Sequence, residues 1–337
     1  MDYEVIIVGA RVAGSALASL LGEQGHRVLL LEKAHFPSDT LSTHFFRAPA
    51  LRVFERLGVL DEVRSAAPPL TTVWNYMDGH VISEPVRAPE DHLSYFLCER
   101  RITLDWILFQ RVRREAKVEV RQGARVKELI WRDGRVAGVR WDEAWGMNEA
   151  TARAVIGADG LYSTLARSLE PAYESQFPVR RCMYYTYFQG IEPLNEESLA
   201  EHHFVDDTLT YVFPTDANLT LVAASLPISE FASFKKEPLK RLRDHLESLP
   251  LLAPRLHKAE IAAEVKGSGN IPCYQRIPYG SGWALVGDAG QVMDPWSGMG
   301  IDHAATHASF LAEAMHGFLC DGSSWAEAMV DYHSRAR

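Results

Sequence analysis

Three glycine turns in this sequence, each associated with an acidic residue, have the residue types that could bind a ligand or take part in a reaction. The turn at residues 9–14 is followed by Glu32 at the end of the next apolar run, and the other two turns are Asp159-Gly160 and Gly287-Asp288. A carboxylate held at a strand end can accept a hydrogen bond from a ribose or ribityl hydroxyl, and free N–H groups at a helix start attract phosphate. These residue types indicate a ligand with hydroxyls and phosphates, although each turn alone is also typical of an ordinary strand-to-helix connection.

The first turn departs by one residue from the dinucleotide-binding pattern G-x-G-x-x-G. In that pattern the first glycine permits a tight turn, the second lets a pyrophosphate approach, and the third allows the helix to pack closely. Arg11 stands where the second glycine would be, so its side chain either adds a cation near the pyrophosphate or points into solvent. Glu32 lies at a spacing suited to a ribose hydroxyl, and a structural turn with a surface glutamate is the alternative. The turn consists of Gly9, Ala10, Arg11, Val12, Ala13 and Gly14.

The elements around this turn predict a βαβ unit. Residues 3–8 and 27–31 are strand-like runs on either side of a small-residue helix at 12–24, and such a crossover makes the two strands parallel. Further helical patterns occupy 48–60, 101–115, 237–249 and 325–337, and another begins near Ile301. Strand signals dominate 71–97, with a turn signal at Asp78-Gly79, and they dominate again over 181–265.

The two kinds of segment are interleaved along the chain. The pattern predicts an α/β unit assembled from 1–70, 98–180 and 265–337, into which a mainly-β sheet domain is inserted as 71–97 and 181–264. Pockets form preferentially between domains, so we expect the substrate at the seam.

Composition argues against several classes of function. The formal net charge of -9 comes without a basic stripe, which argues against nucleic acid as a partner. No apolar run has the length of a membrane span, and the N-terminus is acidic where a secretory signal would be basic. The sequence therefore predicts a cytoplasmic protein without an integral membrane segment.

We predict no metal site from the sequence. The cysteines are far apart and form no C-x-x-C pair, which fits reduced thiols. His303 and His307 lie one helical turn apart, a spacing that can bind metal, but no third ligand is apparent from the sequence. The four cysteines are Cys98, Cys182, Cys273 and Cys320.

The order, spacing and flanking strands of the three turns resemble the flavoprotein hydroxylase family that includes p-hydroxybenzoate hydroxylase. Within this family, the loop DPWSGMGI is similar to the flavin loop of the geranylgeranyl-reductase-like branch. The resemblance implies a Rossmann-like FAD-binding domain of the glutathione-reductase type, with an inserted mainly-β substrate domain. It also implies FAD as cofactor and NAD(P)H as a transient reductant.

The resemblance assigns parts of FAD to particular residues. The first turn would surround the pyrophosphate, and Glu32, followed by Lys33, would hold the adenosine ribose. Arg47, in THFFRAP, would approach the phosphate region, and Arg101, in the R-x-x-L-D motif, would contact FAD at a helix start. Val126 would meet adenine through its backbone.

The remaining assignments concern the middle and the flavin end of the cofactor. Asp159 and Gly160 belong to a motif that touches FAD and has been linked to the pyridine nucleotide. Gly287 and Asp288 would hold the ribityl or pyrophosphate part. The isoalloxazine would be lined by Pro295, Gly298, Met299, Gly300 and Ile301. Negative charge develops at the pyrimidine edge of the flavin on reduction, and a helix N-terminus stabilises such charge.

Residues on the substrate side carry weaker signals. His44 follows the second strand in a loop that passes near the flavin in the family, so it is a candidate acid or base; a hydrogen-bonding loop residue is the alternative. Trp296, within the flavin loop, is a candidate substrate contact. His202-His203 lies in a polar stretch and is predicted at the surface. Aromatic residues alternate along the inserted sheet, and about half should face away from the seam; these are Trp74, Tyr76, Tyr185, Tyr187, Tyr211 and Phe213.

The function predicted first is an NAD(P)H-dependent FAD monooxygenase. By resemblance, it would hydroxylate an aromatic or other electron-rich small molecule through a flavin C4a-hydroperoxide. The first alternative is a flavin-dependent reductase of isoprenoid double bonds, and another is a flavin-binding protein without turnover. A flavin halogenase loses support because the sequence has no W-x-W-x-I-P run. The sequence leaves the substrate, the choice of NADH or NADPH and the oligomeric state open.

Overall fold

The computed structural model describes residues 1–77, 79–144 and 146–337, so the predicted turn at Asp78-Gly79 lies partly outside the described residues. Strands are numbered in chain order. They are β1 (Tyr3–Val8), β2 (Val28–Glu32), β3 (Phe45–Phe46), β4 (Thr72–Met77), β5 (His80–Pro85), β6 (Leu97–Cys98), β7 (Val118–Gln122), β8 (Arg125–Arg132), β9 (Arg135–Glu143), β10 (Gly146–Gly157), β11 (Tyr173–Phe177), β12 (Arg181–Gln189), β13 (Leu199–Val205), β14 (Thr208–Thr215), β15 (Leu219–Pro227), β16 (Glu260–Ile261), β17 (Lys266–Ser268), β18 (Cys273–Arg276), β19 (Tyr279–Gly280), β20 (Trp283–Leu285) and β21 (Gln291–Val292).

The helices are numbered in the same way. They are α1 (Val12–Glu23), α2 (Ala48–Arg56), α3 (Leu60–Ala66), α4 (Arg101–Val112), α5 (Thr164–Leu169), α6 (Phe231–Lys236), α7 (Pro238–Glu247), α8 (Gly300–Cys320) and α9 (Trp325–Arg335). No helix within the described ranges combines the length and apolarity that a membrane crossing requires.

A parallel sheet forms the centre of the first unit. Its order is β19-β20-β10-β1-β2-β7, and β1, the second half of β10, β2, β7 and β20 run parallel. Alternate residues of β1 enter two cores: Val5 and Ile7 pack with helices α1, α4 and α8, whereas Ile6 and Val8 pack with the antiparallel strands β8, β9 and β10. Burial on both faces explains why these strands are continuous apolar runs.

The second unit is a mixed sheet in the order β16-β12-β15-β14-β13-β4-β5, with β17 also paired to β12. Its side chains alternate between two cores, as the twofold period of a strand requires. Tyr185 and Phe213 pack with Phe45 of the first unit, whereas Tyr184 and Val212 face the side that packs on α6 and α7. One face of this sheet therefore lies against the α/β unit.

The predicted fold class is confirmed, and the structure changes three local details. The helix predicted over 48–60 ends earlier, as α2 at Arg56, because Gly58 adopts a positive φ of 69°, and a separate helix α3 begins at Leu60. The stretch at His202-His203 is strand β13 rather than a polar loop. Strand β17 joins the second sheet although it lies beyond the predicted boundary at residue 264, while the division of the chain into domains stays a prediction.

Candidate FAD site

The first turn brings the end of β1 against the start of α1 and the end of β10. Gly9 has a φ of 103° and donates its N–H to the carbonyl of Leu31 at 2.7 Å. A Cβ on Gly9 would overlap the carbonyl oxygen of Ala158, and a Cβ on Gly14 would overlap the carbonyl oxygen of Gly9. The first and third glycines of the pattern thus permit the tight turn and close helix packing for which the pattern is known.

Glu32 ends β2 beside this turn and is buried. Its carboxylate accepts the backbone N–H groups of Ala10 and Ala34, each at 2.8 Å. The carbonyl of Glu32 accepts from the N–H of Ala124 at 2.9 Å, which brings the chain just before buried Val126 to the same place. The predicted adenosine end is therefore assembled from three strand ends, whereas Lys33 is exposed.

Arg11, at the position of the missing glycine, is held by side chains of the neighbouring elements. Its guanidinium pairs with Asp105 of α4 and donates to the Oγ of Ser38 and the carbonyl of Asp39, each at 3.0 Å. Asp105 is fully buried and also accepts from Arg101, with an Nη2–Oδ1 distance of 2.8 Å. Two guanidiniums sharing one carboxylate leave a net positive charge beside the turn, which suits a pyrophosphate.

Arg47 precedes α2 and pairs with Asp302 in the first turn of α8. Its Nε lies 2.9 Å from one carboxylate oxygen, and the other oxygen accepts the N–H groups of Arg47 and Ala50 at 2.9 and 3.3 Å. The Nη2 of Arg47 is buried without a hydrogen-bond partner among the described residues. A buried charged donor left unpaired is costly, which makes this atom a candidate contact for an anion.

The third turn lies against the first. Gly287 follows β20, and a Cβ placed on it would lie 3.1 Å from the Cβ of Ala13. Asp288 is exposed although its neighbours Gly287 and Ala289 are buried, so its carboxyl is accessible to a ligand between buried segments of the chain. The surrounding protein raises the pKa of Asp288, and the charge of Arg101 opposes that effect.

The middle turn lies at the end of β10, between the other two. One carboxylate oxygen of Asp159 accepts the N–H of Thr164 at 2.6 Å, and the other has no partner among the described residues. Burial raises the pKa of Asp159. Gly160 follows with a φ of 74°. The unpaired oxygen leaves this carboxyl able to meet a further donor.

The predicted flavin loop ends at an open helix N-terminus. Pro295 begins a short 3-10 turn, Gly298 has a φ of 60° and packs near Phe45, and Met299 precedes α8. Gly300 is exposed, with nothing within 4 Å of the position its Cβ would take, and Ile301 is buried. The first N–H groups of this 21-residue helix are available to a ligand because they have no intrahelical partner.

His44 lies fully buried between the two units, with a positive φ of 62°. Burial, together with the charge of Arg101, lowers the pKa of His44 to about 3, so the ring is neutral. Its Nε2 lies 2.6 Å from the hydroxyl of Tyr187, whose pKa is raised by burial. The Tyr187 hydroxyl and Nε2 of His44 therefore share one hydrogen bond, whose donor depends on the tautomer of the ring, and Nδ1 has no partner among the described residues.

The second sheet touches the flavin loop through its aromatic residues. Tyr211 donates its hydroxyl to the carbonyl of Pro295 at 3.2 Å, and Phe213 stacks on Phe45 with ring centroids 4.9 Å apart. Trp296 is 38% exposed, donates its Nε1–H to the Oγ of Ser225 at 2.8 Å, and has the guanidinium of Arg181 4.2 Å above its ring. The substrate-side candidates thus lie at one boundary between loop and sheet.

The surface prediction for His202-His203 is wrong. His202 packs edge-on against Phe213 and Tyr211, and burial lowers its pKa to about 4. His203 is fully buried on the opposite face, 5.3 Å from Trp74 between ring centroids. In strand β13 the two residues necessarily point to opposite faces, and both faces of this sheet are covered.

Two acidic residues of the site were not singled out from the sequence. The motif R-x-x-L-D could have indicated Asp105, since this aspartate lies four residues after Arg101 on the same face of α4. Nothing in the sequence indicates Asp302, because its contacts with Arg47 and Ala50 join segments far apart in the chain.

The residues present fit FAD. The glycine turn, the shared positive charge, the unpaired Nη2 of Arg47, exposed Asp288 and the open start of α8 supply the donors, acceptors and space that its parts require. Which residue contacts which part of FAD stays a prediction.

Comparison with known proteins agrees with this geometry. Residues 2–204 match the family described as FAD binding domain, and residues 106–313 match the family described as FAD dependent oxidoreductase. Digeranylgeranylglycerophospholipid reductase 2 of Methanopyrus kandleri is 30% identical over 311 residues, which cover 89% of this chain and 74% of that protein. Digeranylgeranylglycerophospholipid reductase 1 of the same organism is 28% identical over 90% of this chain and 78% of that protein.

Among solved structures, a myxobacterial chondrochloren halogenase superposes with a TM-score of 0.90 at 23% identity, covering 99% of this chain and 79% of that one. A probable FAD-dependent monooxygenase from Pseudomonas aeruginosa superposes with a TM-score of 0.83 at 24% identity, covering 99% and 91%. At this level of identity the likeness shows the fold. Fold, site and sequence together define an FAD-dependent oxidoreductase. The chain belongs to the FAD binding domain family.

Proposed function

We propose that this protein is a flavin-dependent reductase that saturates double bonds of an isoprenoid chain, with NAD(P)H as its reductant. The observation that carries the proposal is the sequence similarity to two digeranylgeranylglycerophospholipid reductases over about nine-tenths of this chain. Reduction of isoprenoid double bonds therefore replaces aromatic hydroxylation as the function proposed first.

The inner face of the second sheet supports an apolar substrate. Tyr185, Tyr187, Tyr211 and Phe213 share this face, and the histidine beside them, His44, is neutral. Because these side chains are at most 5% exposed, a hydrocarbon chain would meet them at the boundary with the flavin loop, where Tyr211 contacts Pro295. Removing its apolar area from water there would contribute about 25 cal/mol per Å². A charged substrate would lose its hydration there without an opposite charge.

Double-bond saturation adds a hydride to one carbon and a proton to its neighbour. FAD, when bound, supplies the hydride chemistry. The chain supplies position and protons: burial raises the pKa of Tyr187, so its hydroxyl keeps a proton, and that hydroxyl shares a hydrogen bond with His44 at 2.6 Å. The start of α8 stabilises negative charge, and the packed sheet excludes water.

The test is an anaerobic incubation of the FAD-loaded protein with NADPH or NADH and a geranylgeranyl lipid. We expect mass spectrometry to show a gain of one H₂ for each saturated double bond. A Tyr187→Phe variant that still binds FAD should be slower, and a Tyr76→Phe variant serves as the control. A lipid that stays unchanged although the flavin is reduced would exclude this function.

Aromatic hydroxylation is the second candidate, and exposed Trp296 at the flavin loop favours it. Its ring, held between Arg181 and Ser225, offers a flat contact for a planar substrate. This activity would appear as oxygen consumption coupled to NAD(P)H oxidation and stimulated by an aromatic compound. Under either proposed function, we expect the protein to be located in the cytoplasm.

A further inference from the structure

A second cluster of chemically active side chains lies at the opposite end of α8 from the flavin loop. It consists of His26, in the loop between α1 and β2, and of His316 and Cys320 in the last turns of α8. Helix α8 has 21 residues, so Cys320 lies about 30 Å along the helix from Gly300 at 1.5 Å per residue. The cluster is therefore separate from the candidate FAD site.

The three potential ligand atoms converge. Nε2 of His26 lies 2.9 Å from Nδ1 of His316, and the Sγ of Cys320 completes a group whose atoms all lie within 4.8 Å of one another. In a tetrahedral zinc site, bonds of about 2.0–2.3 Å place ligand atoms roughly 3.5 Å apart. The two histidine nitrogens are at hydrogen-bond distance and would have to separate by roughly 0.6 Å to reach that spacing, which half-buried His316 can provide while His26 stays buried. The side chain of Cys320 is exposed and can adjust its own distance to both.

A carboxylate lies near the other ring nitrogen of His26. Nδ1 lies 3.8 Å from a carboxylate oxygen of Glu4, which is beyond hydrogen-bond distance, and Glu4 itself accepts the N–H of Arg27 at 2.9 Å. Its negative charge favours a cation at the ring, and a closer carboxylate is the usual partner of a histidine ligand. Arg153 lies close by, but its guanidinium is directed at the carbonyls of Phe318 and Leu319 at the end of α8.

We propose that His26, His316 and Cys320 form a site for one divalent zinc ion, with water as the fourth ligand. Imidazole and thiolate are ligands that zinc prefers, and His316 and Cys320 stand one helical turn apart on the same face of α8. Bound zinc joins the end of α8 to the loop before β2, so it stabilises the helix whose other end begins at the flavin loop. Binding releases the thiol proton of Cys320.

The proposal is tested on FAD-loaded protein that has been treated with a chelator, dialysed and titrated calorimetrically with Zn²⁺. We expect about one equivalent to bind, and Cys320→Ala and His316→Ala to lower the affinity by at least about tenfold. Cys273→Ala, which removes another free cysteine, should bind zinc as the unchanged protein does. With Co²⁺, a thiolate-to-metal absorption band should appear and be absent in Cys320→Ala.

Two results would overturn the site. One is the lack of stoichiometric zinc binding by the unchanged protein at micromolar free metal. The other is equal affinity in the unchanged, Cys320→Ala and His316→Ala proteins, which would place any bound metal elsewhere. Both variants alter residues at the end of a helix that are not fully buried, and thermal unfolding without metal checks that they fold.

Discussion

The guanidinium groups of Arg11 and Arg101 share the buried carboxylate of Asp105 beside the first turn, and this arrangement fixes the position of the Arg11 side chain. The side chain is neither free in solvent nor a substitute for glycine, because Asp105 and the chain at Ser38 and Asp39 hold it. The Asp105 carboxylate is satisfied from two sides, so the group is rigid. The positive charge is thus fixed before the cofactor arrives, which lowers the cost of ordering it on binding.

Replacing Arg11 tests this role directly. We expect Arg11→Ala to weaken FAD binding by roughly tenfold or more, because a charge-assisted hydrogen bond contributes about 1.5–3 kcal/mol. Lys117→Ala, which removes an exposed cation at the opposite end of the parallel sheet, should change the affinity little. The measurement is a fluorescence titration of the apoprotein with FAD, and equal affinities for the two variants would contradict the role.

Glu99 is a buried carboxyl without a hydrogen-bond partner for either oxygen among the described residues. Burial, reinforced by the charge of Asp216, raises its pKa to about 9. In the folded protein Glu99 therefore keeps a proton that it releases above about pH 4.5 in the unfolded chain. As a result, its contribution to the free energy of unfolding falls progressively as the pH rises from about 4.5 to 9.

The prediction concerns how stability changes with pH. Between pH 6 and 8, the free energy of unfolding of Glu99→Gln should fall less with rising pH than that of the unchanged protein, by up to about 1.4 kcal/mol per pH unit. Urea unfolding with excess FAD measures it, and exposed Glu84→Gln is the control. An identical pH dependence in Glu99→Gln would show that Glu99 is already ionised in the folded protein.

At the scale of elements, close approach of β1, α1 and β10 determines the first turn. Gly14 lies where α1 contacts the carbonyl of Gly9, and a methyl group there would overlap it. The helix would have to move away from the strand, opening the turn that the pyrophosphate needs. The packing requirement therefore acts on the whole helix and not on one contact.

Gly14→Ala is expected to abolish FAD binding and to lower stability by a few kcal/mol, as overpacking of a tight contact does. Gly317→Ala makes the same change inside α8, where the nearest atom would be the Oγ of Ser323 at an ordinary 3.4 Å. That control should be neutral or stabilising by up to about 1 kcal/mol because alanine favours helix. A Gly14→Ala protein that purifies with bound FAD would refute the argument.

At the scale of the molecule, buried neutral histidines link folding to pH. Burial lowers the pKa of His44 and His307 to about 3 and that of His202 and His245 to about 4. Below about pH 6.5 the unfolded chain binds protons that the folded protein does not, so stability is present above this pH and is lost as the pH falls. These four groups outweigh the opposite effect of Glu99 in this range.

We therefore expect the free energy of unfolding to fall by several kcal/mol between pH 7 and pH 5, since each histidine contributes up to about 1.4 kcal/mol per pH unit. His245→Gln, in α7 away from the FAD site, should reduce that dependence. Exposed His257→Gln serves as the comparison. Equal stability at the two pH values would mean that the buried rings accept protons in the folded state.

The parts of this protein that depend on neighbours in the chain could be predicted from its sequence. Apolar runs of the right length indicated strands, glycines marked the turn at 9–14, and glycine with aspartate marked the turns at 159–160 and 287–288. The βαβ unit was predicted from the strand and helix pattern, because a helical crossover makes its two strands parallel. The fold class and FAD were implied by the family resemblance that the three turns carry together.

Which distant side chains meet depends on the tertiary structure. The pairing of Arg11 with Asp105, of Arg47 with Asp302 and of His26 with His316 joins residues 94, 255 and 290 positions apart. The faces of the second sheet are a further case, since alternation predicts two faces but not which one lies against the flavin loop. Such contacts depend on how the helices and strands pack against one another. A local sequence pattern therefore does not indicate which distant residue will be the partner.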